Sequence, residues 1–457
     1  MLRKTRMLVV LVIALMVIGT GQVWATGGAD LRGQDIVIGN FWENYDTKVG
    51  SSQWPGGRPR NEVDELELEW RRRIERENGF TMQARQVADW GQMLQVAVTS
   101  IMAGRPAAHA FWLQPDWAMT LYRRGLLYPI SDSRVVNFRT STAIPGRQVA
   151  YNQDVQSLFT FRGKFYAINP TGYGNSAHSA GIYFNKRLFR EAGLDPNLPY
   201  DMQKAGTWTW DAFLDICKKL TRDINNNGRI DVYAMPMDLS TEILDLVAFS
   251  NGAEYIAKAS GRFTNATNTP AFLEALQFCR KLKDEGVMMP RPENSNWEWY
   301  FPAFHDGKVA MMMEPEWRNG QLSNMTDDWG YVLFPKGPKS RDYRFPTDEN
   351  VLVIPSTYTP AEADRILAAI NLWYMPVSDD WRTPLYSSYR DRRAVDETHA
   401  MIRDPKFSAF RNHIMVPGLE RGTIAWEMWW FDGDPAQLVE SVSQSWNALI
   451  NDANAIN

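Results

Sequence analysis

Tryptophan is abundant in this chain, and many of its tryptophans stand close to carboxylate or amide side chains. The 457 residues include 19 Trp, 17 Tyr and 21 Phe. An indole ring can stack on the apolar C–H face of a sugar, and a carboxylate beside it can accept hydrogen bonds from adjacent hydroxyls. The candidate binding residues of these two types are Trp42, Glu43, Trp90, Asp116, Trp117, Trp299, Glu316, Trp317, Trp429 and Trp430. Packing explains a single tryptophan equally well, and we expect Trp70 and Trp373, which lie on amphipathic helices, to be core residues.

A second candidate site is the segment 223–231, whose sequence DINNNGRID matches the first half of an EF-hand calcium loop. Its oxygen ligands would be Asp223, Asn225, Asn227 and Asp231. Ala234 stands at the twelfth position, where such a loop carries a bidentate Glu. Since two carboxylates alone bind calcium weakly, the alternative is an Asn/Gly-rich turn before a strand. The sequence leaves a structural calcium ion open here and indicates no other cofactor.

Patterns that would indicate catalysis are weak. The string AHSAG at 177–181 imitates the nucleophile elbow of a hydrolase, but turn residues precede it and a strand follows it, the reverse of the order that an elbow requires. A secreted glycoside hydrolase is the more serious alternative, because it uses the same side chains, and Glu316 and Glu427 are the pair to inspect. The five histidines show no metal-binding spacing. We therefore expect a binding protein that is not an enzyme.

Composition and charge further limit the classes of protein to which this chain could belong. The chain has 49 basic and 53 acidic residues, a net charge of −4, so it lacks the basic field that nucleic-acid binding needs. Its content of 44% hydrophobic and 22% charged residues is typical of a globular protein. Cys217 and Cys279 are the two cysteines, too few for a disulfide scaffold. Both fall in predicted helices, and we favour buried thiols over a disulfide pair.

The first 25 residues have the pattern of a secretory signal peptide. Arg3, Lys4 and Arg6 form a basic region, and an apolar run follows over 7–18. In the stretch 23–25, small residues stand at the −3 and −1 positions of a signal-peptidase site, which predicts cleavage after Ala25. The apolar run is shorter than the ~20 residues that a membrane span needs. We therefore expect an exported protein in the periplasm or the extracellular space.

Predicted strands and helices alternate along the chain. A strand at 35–42 precedes a helix whose apolar residues recur every three or four positions over 63–74, and further strand–helix pairs follow at 80–103 and 109–124. This alternation predicts an α/β fold with a mostly parallel sheet. Such sheets bind ligands beyond the carboxyl ends of their strands. Several candidate residues follow predicted strands directly: Trp42, Asp116, Trp117, Tyr173, Glu316 and Trp317.

Five motifs follow one another in the middle of the chain: GKFYAINP at 163–170, AGIYFNKRLFREAGL at 180–194, TWDAF at 209–213, FHDGKVAMM at 304–312 and VLVIPS at 351–356. In this order they resemble those of the extracellular solute-binding proteins of ABC sugar importers, the maltose-binding-like family 1. Phe184 replaces the usual Tyr, and Ala205-Gly206 replaces the usual Pro before Thr-Trp. Each motif is weak alone, but their order behind a signal peptide is specific.

The resemblance implies a two-lobed periplasmic-binding-protein fold with a ligand cleft between lobes joined by crossing segments. The first lobe would comprise residues 33–168 and 333–378, and the second 169–332 and 379–457. The family position also implies ligand contacts for Trp317, Trp429 and Trp430, and for Asp238. A bound sugar or oligosaccharide would draw the lobes together, because it contacts both of them only when they are closed.

The implied partner is an ABC permease in the membrane, which would receive the ligand from a monomeric binding protein. A binding protein that feeds a sensor would have the same sequence features, because the difference lies in the partner. The length and identity of the sugar are open at this point.

Overall fold

The computed structural model describes residues 28–48, 58–139, 149–171, 180–237, 241–347, 350–430 and 433–456. The predicted signal peptide, residues 1–25, lies outside these ranges. No helix of the described part is both long and apolar enough to cross a membrane.

Strands and helices alternate as the sequence predicted. The strands are β1 (Asp35–Asn40), β2 (Thr81–Gln86), β3 (Ala110–Leu113), β4 (Thr160–Phe161), β5 (Lys164–Phe165), β6 (Ala180–Asn185), β7 (Met235–Pro236), β8 (Ile256–Ala259), β9 (Arg262–Asn265), β10 (Met288–Met289), β11 (Met311–Pro315), β12 (Trp329–Leu333), β13 (Phe345–Thr347), β14 (Val351–Val353) and β15 (Ser408–Phe410). The α-helices are α1 (Glu62–Asn78), α2 (Trp90–Met102), α3 (Pro115–Arg123), α4 (Gln153–Leu158), α5 (Lys186–Glu191), α6 (Leu198–Ala205), α7 (Trp210–Leu220), α8 (Thr241–Ser250), α9 (Pro270–Asp284), α10 (Tyr300–His305), α11 (Pro360–Trp373), α12 (Arg382–Tyr386), α13 (Ala400–Ile402), α14 (Arg421–Trp430) and α15 (Pro435–Ile456). Shorter 3₁₀ turns include Glu316–Leu322 and Asn412–Met415.

The first lobe is built on a four-stranded sheet in the order β14-β3-β1-β2. β1 is parallel to β2 and β3, and β14 is antiparallel to β3. Helices cover both faces of this sheet, as a mostly parallel sheet requires. Trp70 on α1 and Trp373 on α11 pack on one face, at 4% and 2% exposure. The prediction that these two are core residues is confirmed.

The second lobe contains a three-stranded sheet in the order β11-β6-β12, in which β6 is antiparallel to both neighbours. Its centre is packed so closely that Gly181 has no room for a side chain. A Cβ there would lie 2.4 Å from the carbonyl oxygen of Val332. Cys217 and Cys279 lie in the core of this lobe as free, buried thiols, as the sequence favoured.

The chain passes between the lobes more than once. Ile168 bridges to β14 in the first sheet, and the next described strand, β6, belongs to the second sheet. On the return, residues 334–347 contact second-lobe elements: the Gly337 N–H donates to the carbonyl of Ser250 at 2.9 Å, and β13 pairs with β15. The first sheet resumes at β14. Residues 334–347, which the sequence assigned to the first lobe, thus make these contacts with segments that it assigned to the second, and the lobe boundaries stay a prediction.

Candidate ligand-binding cleft

The candidate residues of the first lobe lie where its parallel strands end. Trp42 follows β1, Trp90 is the first residue of α2 after β2, and Trp117 lies in the first turn of α3 after β3. The carboxyl ends of parallel strands share one edge of the sheet. The fold therefore brings three tryptophans, which are far apart in sequence, to the same edge.

The candidate residues of the second lobe lie near the point where the chain enters it. Ile168 leaves the first sheet beside β14 and β3, and Ala180 enters the second sheet paired with Pro315, the last residue of β11. Glu316 and Trp317 follow Pro315 directly. The chain thus leaves the first sheet beside β14, and its next described strand begins next to the end of β11, which Glu316 and Trp317 follow.

An Asx turn positions Trp42. The Oδ1 atom of Asn40 accepts hydrogen bonds from the backbone N–H groups of Trp42 and Glu43, each at 2.9 Å. Asn40 itself is 1% exposed, so the turn is anchored in the core. Trp42 leaves the strand with 43% of its surface exposed.

Four aromatic rings form the wall of the first lobe. Phe41 contacts Trp42 at 4.8 Å and Trp117 at 5.3 Å between ring centroids, and Trp117 contacts Trp90 at 5.5 Å. Trp90 is 58% exposed, whereas Trp117 is 8% exposed. Trp42 and Trp90 therefore offer ring surface to a ligand. Trp117, predicted as a binding residue, supports them from below, because its own ring is covered by its neighbours.

Two carboxylates accompany these rings. Burial raises the pKa of Glu43 above its ordinary value, while a hydrogen bond from the Trp42 side chain and the charge of Arg71 act in the opposite direction. Asp116 is half-buried in the first turn of α3, where the helix dipole favours a negative charge. Both can accept hydrogen bonds from hydroxyl groups of a ligand.

Buried tyrosines hold the turn that carries Trp317. The hydroxyl of Tyr183 donates to the carbonyl oxygens of Pro315 at 3.1 Å and Glu316 at 2.9 Å, and that of Tyr389 donates to Glu316 at 2.9 Å. Burial raises the pKa of both tyrosines far above the usual range, so both stay protonated and able to donate. The backbone beneath Trp317 is therefore fixed.

Arg318 stacks on Trp317. The central carbon of its guanidinium lies 4.3 Å from the ring centroid of Trp317 and 5.1 Å from that of Phe301. The guanidinium forms ion pairs with Glu298 at 2.6 Å and with Glu314 at 3.3 Å. Trp317 remains 51% exposed, so the second-lobe wall also offers an aromatic surface.

The remaining predicted residues lie elsewhere or outside the described ranges. Trp299 is 6% exposed and lines a groove of about 320 Å³ that reaches Asp306 and Lys308, which precede β11, whereas Trp317 follows it. Trp429 is 1% exposed in the core. Neither offers a ring face to the cleft, because packing covers both. Three predicted residues lie outside the described side chains: Tyr173, Asp238 and Trp430.

Sequence reasoning missed the residues that support the platforms. Asn40, Phe41 and Arg318 were not singled out, although Phe41 and Arg318 directly adjoin Trp42 and Trp317. Adjacency to a predicted platform is the signal that could have identified them. What they contact depends on the turn at each strand end, which the sequence alone does not give.

The segment 223–231 closes upon itself. Asp223 accepts hydrogen bonds from the backbone N–H groups of Asn227 at 3.1 Å and Gly228 at 2.7 Å, and Asp231 accepts from that of Ile224 at 2.7 Å. Over the described residues, no group of three or more His, Cys, Asp and Glu could hold a metal ion. Calcium binding at Asp223, Asn225, Asn227 and Asp231 stays a prediction.

Known proteins resemble this chain in fold and in sequence. An ABC substrate-binding protein of Listeria monocytogenes, solved with cycloalternan, aligns over 92% of this chain and 99% of its own at a TM-score of 0.61 and 17% identity. UgpB of Mycobacterium tuberculosis, solved with glycerophosphocholine, aligns over 90% and 98% at a TM-score of 0.62 and 16% identity. The maltose/maltodextrin-binding domain MalE of Bdellovibrio bacteriovorus, bound to maltotriose, aligns over 91% and 100% at a TM-score of 0.57 and 16% identity. These likenesses show the two-lobed fold of periplasmic solute-binding proteins.

Sequence comparison gives the family. Proteins of Brucella abortus and Brucella suis, named only as candidate binding proteins, are 24% identical over 369 residues, covering 77% of this chain and 80% of their own. The family model described as "bacterial extracellular solute-binding protein" matches residues 69–376, about two thirds of the chain. The chain belongs to the family of bacterial extracellular solute-binding proteins.

Proposed function

We propose that this protein binds a carbohydrate between its two lobes and delivers it to an ABC permease in the membrane. The observation that carries this proposal is the pair of exposed aromatic walls. Trp42 and Trp90 are exposed at the carboxyl edge of the first sheet, and Trp317 is exposed directly after β11 in the second lobe.

The walls have the chemistry that a sugar requires. Indole rings stack on the apolar face of a pyranose, and carboxylates such as Glu43 and Glu316 accept hydrogen bonds from its hydroxyls. A ligand that contacts both walls stabilises the closed arrangement of the lobes over the open one. Binding and closure are then the whole function, carried out by an exported monomer in the periplasm or extracellular space, with no catalytic step.

The ligands of structurally similar proteins define the panel to test. The Listeria and Bdellovibrio proteins were solved with the oligosaccharides cycloalternan and maltotriose, and UgpB with glycerophosphocholine. A binding site for oligosaccharides fits the spread of aromatic surface over Trp42 and Trp90. Glycerophosphocholine would also require a group that recognises its phosphate, whereas exposed indole rings can bind its quaternary ammonium as well.

The test is a titration of the secreted protein with mono- and oligosaccharides and with glycerophosphocholine. Tryptophan fluorescence and melting temperature report binding, and chromatography reports products. Saturable binding of a sugar without products supports the proposal. Saturation with released products would favour a glycoside hydrolase, and binding of glycerophosphocholine alone would reject carbohydrate as the ligand.

The permease and a sensor are distinguished by the partner. Addition of the sugar-loaded protein to the reconstituted ABC transporter should stimulate ATP hydrolysis. A loaded protein that leaves the transporter unaffected but activates a membrane sensor would contradict the delivery step, while sugar binding itself would stand.

A further inference from the structure

We infer that Arg318 is a positioning residue for the ligand platform: it covers one face of Trp317, fixes the ring and leaves a single indole face to stack on one sugar ring. This inference rests on the proposed function, because a platform requires a carbohydrate ligand. It assigns a role to a residue that touches the platform rather than the ligand.

Arg318 is itself held in place. Its guanidinium lies between Glu298 at 2.6 Å and Glu314 at 3.3 Å. The side chain of Arg318 is 14% exposed and that of Glu314 is 8% exposed, so water screens this pair less than a surface ion pair, whereas Glu298 is 45% exposed and its pairing with Arg318 is more strongly screened. The planar fork of a guanidinium can engage two carboxylates and still present a flat face, which the compact ammonium of lysine cannot do.

Trp317 depends on this support. It lies on a short 3₁₀ turn and is 51% exposed, so about half of its surface is not held by packing. The guanidinium at 4.3 Å from its ring centroid lies well within the ~6 Å range of a cation–π contact. Stacking fixes the ring before a ligand arrives, and a ring that is already ordered loses less entropy on binding.

The same geometry limits what the platform can hold. One face of the indole is covered by Arg318, and the exposed surface of Trp317 is therefore the opposite face and the ring edge. The hydroxyls of Tyr183 and Tyr389 fix the backbone of the preceding residue, and the stacked guanidinium holds the ring on that backbone, so the covered face stays covered. Trp317 can thus stack on one pyranose and cannot be inserted between two.

The first test needs no ligand. Secreted protein labelled with 5-fluorotryptophan is studied by fluorine NMR, and the line of Trp317 is identified by its loss in Trp317→Phe. We expect a narrow line displaced from that of the free amino acid, and a line moved towards the free value in Arg318→Met. An unchanged Trp317 line in Arg318→Met would overturn the inference.

A matched control separates this effect from the general loss of a stacked arginine. Arg73 lies 4.8 Å above the ring of Trp70 on α1, away from the cleft. Arg73→Met should leave the Trp317 line unchanged. If Arg318→Met fails to fold, Arg318→Lys keeps the charge without the planar fork, and its Trp317 line should still move.

The second test measures coupling by calorimetric titration with maltotriose, or with the sugar of the panel that binds the wild type most tightly. We expect Arg318→Met to weaken binding by about threefold to tenfold, from the cost of ordering one side chain. In a Trp317→Ala background the same change should cost less than about twofold. An equal loss in both backgrounds would overturn the inference, because Arg318 would then act without Trp317.

The proposed function and the role of Arg318 can be refuted independently of each other. If no sugar binds the wild type, the proposed function fails, while the fluorine line still decides whether Arg318 fixes the ring. If sugar binds and the Trp317 line is indifferent to Arg318, the proposed function stands and the inference is wrong.

Discussion

Replacing Trp317 by alanine should weaken sugar binding about tenfold. A fully buried tryptophan covers ~200 Å², and Trp317 still exposes 51% of its surface, so ~100 Å² is free for a ligand. A pyranose that covers one face would bury about half of that area, ~50 Å². At ~25 cal/mol per Å² this gives ~1.3 kcal/mol, which is a factor of about ten in the dissociation constant.

The same substitution should have little effect on stability. It removes the cation–π contact with Arg318, a loss of ~1 kcal/mol at a partly exposed site. In a protein of this size the melting temperature would fall by about 2 °C or less. Trp373→Ala provides the contrast, because Trp373 is 2% exposed and its removal from the core should cost ~3–5 kcal/mol.

Both quantities can be measured on the same samples. Isothermal titration gives the affinity of the folded protein, and calorimetric or fluorescence melting gives the stability. Trp317→Ala should lose affinity and keep its melting temperature, and Trp373→Ala should do the opposite. A Trp317→Ala variant with near-wild-type affinity and a melting temperature lower by more than about 5 °C would show that Trp317 is a packing residue.

Three further predictions concern pH, packing and metal. Burial lowers the pKa of His399 to about 3, so it stays neutral in the fold while the unfolded chain takes up a proton below its ordinary value of about 6.5. The free energy of unfolding should therefore fall on acidification from pH 6.5 towards 3, by ~2 kcal/mol at pH 5. Melting curves should show that His399→Gln loses less stability than the wild type between pH 7.5 and 5. Equal losses of stability in the two proteins would refute this. Gly181→Ala should fold poorly, since its Cβ would lie 2.4 Å from the Val332 carbonyl oxygen, and a variant that melts within about 2 °C of the wild type would contradict this packing. If segment 223–231 is a turn held by its own hydrogen bonds, EDTA should change the melting temperature by less than about 1 °C. A rise in melting temperature with calcium that Asp231→Asn abolishes would instead establish a calcium site.

The elements of the fold were predictable from local sequence. The helix with recurring apolar residues over 63–74 is α1, and its boundaries follow from local chemistry. Asn61 accepts a hydrogen bond from the N–H of Asp64 at one end, and Gly79 adopts the left-handed conformation at the other. Such signals depend on neighbours in sequence, so they survive without knowledge of the rest of the structure.

The candidate site was predictable in kind and only partly in detail. Three of the predicted binding residues, Trp42, Trp90 and Trp317, are exposed, and their role as ligand contacts stays a prediction. Trp117 is a support, and Trp299 and Trp429 are buried. All six were equivalent at the level of sequence, because each is an aromatic residue close to polar neighbours.

The sequence by itself determined the class of protein, since the order of five motifs and the alternation of strands and helices are properties of the chain. Only the tertiary structure decided which rings a ligand can reach. Trp297 and Trp299 are two residues apart, yet the first is 56% exposed and the second 6%. Exposure depends on which distant segments pack over a side chain, and that information is absent from its local sequence.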